Sequence, residues 1–100
     1  MAGTFTFTGT VWLWQGDSAW HFVSLPEDIA DEIADLMDGR LRGFGSVRVE
    51  ATSKQTTWRP SIFPDTKHGT YILPLKKQVR QELALSEGSR VKVTIQVISN

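Results

Sequence analysis

The chain has 100 residues, 40% apolar and 22% charged, a composition that suits one globular domain burying roughly 60–65% of the surface its unfolded chain exposes. It has no cysteine, which excludes a disulfide framework and a thiolate metal site. Eleven Lys and Arg balance eleven Asp and Glu, and a net charge of zero argues against a dedicated non-specific nucleic-acid binder.

The balance conceals a segregation. Residues 1–38 carry seven acids (Asp17, Glu27, Asp28, Asp31, Glu32, Asp35 and Asp38) and no Lys or Arg. Residues 39–100 carry all eleven basic residues against Glu50, Asp65, Glu82 and Glu87. The first residues, MAGTFTFTGTVWLW, lack the basic flank and continuous apolar run of a signal peptide, and no apolar stretch reaches the length of a membrane span. A soluble cytoplasmic protein is the expectation.

TFTFTGTVWLW alternates, with Phe5, Phe7, Gly9, Val11 and Leu13 on one face and Thr residues, Trp12 and Trp14 on the other. Period 2 with Thr, aromatic and β-branched residues predicts a strand. QGDS is turn chemistry and AWHFVSL a second strand, so the two form a hairpin, with Gly9 marking a bulge or a barrel corner. SLPEDIADEIADLMDG predicts a helix, with Ser24 and Glu27 as a capping box, Pro26 early in the helix and Gly39 as its stop. Its apolar stripe is Ile29, Ile33, Leu36 and Met37, flanked by Ala30 and Ala34.

FGSVRVEAT reads as a third strand with Val47, Val49 and Ala51 inward, and TTWRPSIF as a fourth that Pro60 confines to an edge or a bulge. PDTKHG is a hairpin loop leading to a fifth strand, TYILP. LKKQVRQEL predicts a short helix on Leu75, Val79 and Leu83, and RVKVTIQVI closes the chain with strict alternation of Val91, Val93, Ile95 and Val97 against polar residues. The order β-β-α-β-β-β-α-β predicts a single mainly β (α+β) domain, a six-stranded barrel whose open ends two helices cover.

Candidate site residues come from three patterns. The two histidines, His21 on a strand and His68 in a turn, have no metal-ligand spacing, and the nearby Asp17 and Ser18 lack a third group to orient a Ser–His pair. No catalytic residue, metal site or cofactor is assigned, and an enzyme is not expected. Tryptophan is abundant, and a first strand that is aromatic on both faces is either covered on both sides or lines a pocket or interface; Trp12, Trp14, Trp20 and Trp58 are therefore ligand-binding candidates.

The second helix poses a charge problem. Lys76, Lys77 and Arg80 fall in its first turns, where cations oppose the helix dipole at about 0.3–1 kcal/mol each, and Lys76 and Arg80 form a like-charge pair. Water and salt, the acidic helix of the same chain or of a dimer partner, or a bound anion would offset this. Arg59, Lys76, Lys77 and Arg80 are accordingly candidates for an anion site, with Lys67 and His68 as further contributors.

WHFVSLP before an acidic helix, VRVEAT followed by WRPSIFP, then YILPLKKQVR and LSEGSRVKV, together resemble a small bacterial family of unknown function that occurs alone or fused to YdeI/OmpD-associated (bacteriocin-protection) segments. The resemblance runs from about Phe5 to Val97 and departs at Gly88-Ser89, where relatives often have Gly-Asp. It implies a double-split β-barrel related to the AbrB/MazE swapped-hairpin DNA-binding proteins, and it brings no activity, cofactor or catalytic residue. Two readings stay open. One is a non-enzymatic module for a small anionic ligand or a protein partner, with a homodimer allowed; the other is an AbrB-like nucleic-acid binder, which the zero net charge disfavours.

Overall fold

A computed structural model describes residues 3–16, 19–37 and 45–98. Its elements are β1 (Thr4–Gln15), β2 (Ala19–Ser24), α1 (Glu27–Leu36), β3 (Val47–Ser53), β4 (Thr56–Trp58), β5 (Ser61–Asp65), β6 (Thr70–Pro74), α2 (Lys77–Glu82) and β7 (Arg90–Val97). The predicted stop at Gly39, the Asp17/Ser18 turn and Phe44 of the third strand lie outside the described residues.

Six strands close into a ring, β3-β5-β6-β2-β1-β7 and back to β3, every pairing antiparallel. The seventh is a product of Pro60. The predicted fourth strand breaks there into β4 and β5, which pair one after the other along the same edge of β3. Proline has no N–H for a ladder, but its carbonyl still accepts the Val49 N–H at 3.0 Å.

β1 is long enough to serve two neighbours. Thr4–Thr10 pair with β7 and Val11–Gln15 pair with β2. The handover occurs beside Gly9, where a Cβ would stand 2.6 Å from Val23 Cγ1. Only glycine admits the fully buried Val23 there, so the predicted corner is real and its cause is interior crowding.

The alternating residues fill the ring as their period requires: Phe7, Val11, Val23, Val47, Val49, Ala51, Ile62, Leu73, Val93 and Ile95 are buried. α1 follows the end of β2 and α2 the end of β6, and these strands are antiparallel, so the helices sit at opposite ends of the pair. α1 buries Ala30 and Ile33. Leu36 of the expected stripe is 42% exposed, one position off the buried arc. α2 buries Val79, with Leu75 and Leu83 buried on either side of it.

The capping box does not form. Pro26 is itself the N-cap of α1, outside the helix, and no side chain caps the first turn. Ser24 is the last residue of β2, and its Oγ accepts the Trp12 indole N–H at 2.9 Å instead. α2 ends in a Schellman motif: Ala84 N–H donates to Gln81 O at 3.3 Å and Leu85 N–H to Arg80 O at 2.8 Å. Ala84 takes φ 54° there, a conformation usually left to glycine.

Candidate functional site

Strand alternation sends Val11, Leu13, His21 and Val23 toward the interior and turns Trp12, Trp14, Trp20 and Phe22 outward. The register sets Trp14 opposite Trp20 and Trp12 opposite Phe22. Across β6 and β5, Ile72 and Phe63 face each other on the same outer surface. The result is an aromatic face on the outside of β1, β2, β6 and β5. Trp12 and Phe22 rings lie 5.2 Å apart and tilted, and the Trp20 and Phe22 rings are near parallel at 6.3 Å. Neither helix covers this face: Trp14 is 48%, Trp20 52% and Phe63 45% exposed.

The face is grooved. One groove of about 580 Å³ runs over Trp12, Trp14, Trp20, Phe22 and Phe63 and ends at Asp65, Lys67 and His68 of the β5–β6 loop. His68 Nδ1 and Asp65 Oδ2 are 2.8 Å apart, tying that loop together. A smaller groove of about 370 Å³ lies on the far side of Trp20 and Phe63 and is lined by Trp58, Arg59, Pro74 and Lys76.

Of the residues singled out from sequence, Trp12, Trp14 and Trp20 therefore share one groove, and Trp20, Trp58, Arg59 and Lys76 share the other. Trp58 is 6% exposed, its buried Nε1 without a hydrogen-bond partner among the described residues, as is Nδ1 of His21. Arg59 is paired with Glu50 at 3.3 Å on the surface. Lys77 and Arg80 line neither groove.

Arg80 resolves its part of the charge problem locally. Its Nε donates to the Leu75 carbonyl at 3.1 Å, and in a helix of six residues it also falls in the last turn, where a cation suits the dipole. Within one chain and among the described residues, no ion pair joins α1 to α2: the pairs are Arg59–Glu50 and the hydrogen-bonded Asp65–His68.

Sequence reasoning missed one residue of this surface and a separate hollow. Phe63 belongs to the aromatic face, and its signal was present, since it alternates with the buried Ile62 once β5 is separated from β4. A further hollow of about 780 Å³, between the β3–β4 turn, the end of α2 and the start of β7, is lined by Lys54, Arg90 and Lys92 among others. Nothing in the linear order joins those three.

The chain matches, over residues 7–95, the family described as Domain of unknown function (DUF1905), and it belongs to that family. No curated protein matches it.

Proposed function

We propose that this member of the DUF1905 family is a non-enzymatic binding module whose site is the aromatic outer face of β1, β2, β5 and β6. One observation carries the reading: Trp14, Trp20 and Phe63, each about half exposed, stand together on a floor of Trp12, Phe22 and Ile72. Single exposed rings are ordinary, but these three leave on the order of 300 Å² of aromatic surface in water, about 7 kcal/mol of burial that folding does not use. Lys67 borders the face on one side, beside the bonded Asp65 and His68, and Lys76 on the other, beside the Glu50-paired Arg59. The two lysines join no ion pair among the described residues, so the ligand the face suits has a flat apolar body and an anionic group.

A thermal-shift screen of aromatic carboxylates and phosphorylated metabolites tests this. A ligand at a hundred times its Kd adds about 2.7 kcal/mol to stability. The expected hit loses its effect in a Trp14→Ala/Trp20→Ala variant. If no compound moves the midpoint, or a hit stabilises the variant equally, the aromatic face is not the site.

Single-stranded nucleic acid is the second reading, favoured by the same rings, since bases stack on aromatic side chains at about 1–3 kcal/mol each while cations track the backbone. It predicts affinity that falls with salt at a log–log slope near one per phosphate contacted, and undetectable binding at low salt ends it. Self-association through the face is told apart by mass in solution, with the double tryptophan variant reverting to a single chain.

A further inference from the structure

We infer that the hollow between the β3–β4 turn, the end of α2 and the start of β7 is a second site, which binds a phosphate-bearing ligand. It is independent of the aromatic face and shares no lining residue with it.

Among the described residues, three cations line this hollow and no carboxylate does. Arg90 and Lys92 are two apart on β7 and so project from the same outer face. Lys54 occupies the turn joining β3 to β4, and Ser53 Oγ donates to the Lys92 carbonyl at 2.7 Å, fastening that turn against β7. None of the three takes part in the ion pairs among the described residues; Arg90 contacts the Thr10 hydroxyl at 3.2 Å. Glu82, beside the lining residue Leu83, is engaged by Thr56 Oγ1 at 3.1 Å and Gln78 Nε2 at 3.3 Å and not by any of the three. Like charges sharing one lining repel, and they persist more readily where an anion joins them. Hydroxyls complete the lining. Ser89 Oγ accepts the Ser86 N–H at 3.0 Å, which leaves its own proton free to donate. The carbonyls of Arg80 and Gln81 at the negative end of α2 are already taken by Leu85 and Ala84, so the helix does not present them bare to an anion.

Backbone strain marks the same place. Among the described residues the non-glycine residues at positive φ are Lys54 and Ala84, both at 54°, and both line this hollow. Lys54 is the first central residue of a two-residue hairpin turn, where positive φ favours glycine. A lysine held there costs stability, and strained residues concentrate at ligand sites, where the side chain is worth the strain. Three cations with the Ser89 hydroxyl suit a dianionic group with several acceptor oxygens better than a single carboxylate, and phosphate is that group. A free phosphate compound supplies that charge in one group, and a phosphodiester backbone, with one charge per phosphate, supplies it from two successive phosphates.

The test is an amide NMR titration of the whole chain at low salt with inorganic pyrophosphate and, separately, with a short oligothymidylate. Pyrophosphate is expected to shift Lys54 and Ser89–Lys92, and Lys92→Gln to weaken it by about tenfold or more, the loss of one charge-assisted contact. Lys54→Gly is expected to weaken binding while raising the melting temperature, a combination that a merely structural lysine would not give. Oligothymidylate competing for the same amides identifies a phosphodiester source; pyrophosphate binding alone identifies a free phosphate compound. No shifts at millimolar pyrophosphate, or unchanged affinity in a Lys54→Gly/Lys92→Gln variant, overturns the proposal.

Discussion

Ala84→Gly should stabilise the protein, against the usual expectation for a glycine substitution. Ala84 sits at φ 54° one residue beyond the α2 C-cap, Leu83. There its Cβ crowds the backbone at a cost of roughly 1–2 kcal/mol. Glycine removes that strain but restores about 0.4–1 kcal/mol of unfolded-state entropy. The net gain is about 0.5–1 kcal/mol, a rise in melting temperature of roughly 2–8 °C for a domain of this size. Ala30 provides the opposing control, since it is buried in α1 with its N–H bonded to Pro26 O at 3.0 Å. Ala30→Gly loses about 1 kcal/mol of helix propensity and about 0.8 kcal/mol of methyl burial. Urea unfolding followed by tryptophan fluorescence, with calorimetry for the midpoint, measures both. If Ala84→Gly is neutral or destabilising, the Schellman geometry and the strain argument for the neighbouring hollow both fail.

Gly9→Ala is expected to cost about 1–3 kcal/mol by overpacking against Val23, and combined with Val23→Ala the loss in urea unfolding should be smaller than the two single losses together. Additive losses would mean that the two residues do not meet. Burial pushes the Tyr71 phenol above its ordinary value of 10.0, so the fold favours the neutral form. That contribution is complete below about pH 10 and is lost as pH climbs from there through the folded value. Tyr71→Phe should therefore flatten the alkaline loss of stability, and parallel pH profiles for the two proteins would refute the assignment.

What was legible from sequence is what local period encodes. The alternation of Val91, Val93 and Ile95 and of Val47, Val49 and Ala51 placed β7 and β3 correctly, and the spacing of Leu75, Val79 and Leu83 placed α2. The errors arose where a local rule met a tertiary competitor. Ser24 fits a capping box by spacing, yet in the fold it extends β2 and its hydroxyl serves Trp12. Pro60 signalled a defect, but whether it ends a strand or divides one depends on β3, which offers pairing on both sides of it. Whether Trp12 and Trp14 were covered was undecidable from β1 alone, because the answer lies in where the helices pack. The Lys54–Arg90–Lys92 hollow was not legible at all, since strand register and a Schellman turn bring its walls together.

One strand organises both candidate surfaces. Up to residue 10 the outward side chains of β1 are Thr4, Thr6, Thr8 and Thr10, set against Gln96, Thr94, Lys92 and Arg90 of β7. Thr6 and Thr94 hydroxyls bond at 2.8 Å, and Thr52 and Thr57 at 3.2 Å continue the hydroxyl row across β3 and β4. From residue 11 the outward side chains become Trp12 and Trp14, set against Phe22 and Trp20 of β2. The change from threonine to tryptophan in TFTFTGTVWLW thus coincides with the change of partner strand beside Gly9. A hydroxyl-and-cation surface suits oxyanions, and an aromatic surface suits flat apolar groups. The barrel keeps the two chemistries on different walls because β1 must turn a corner to close the ring.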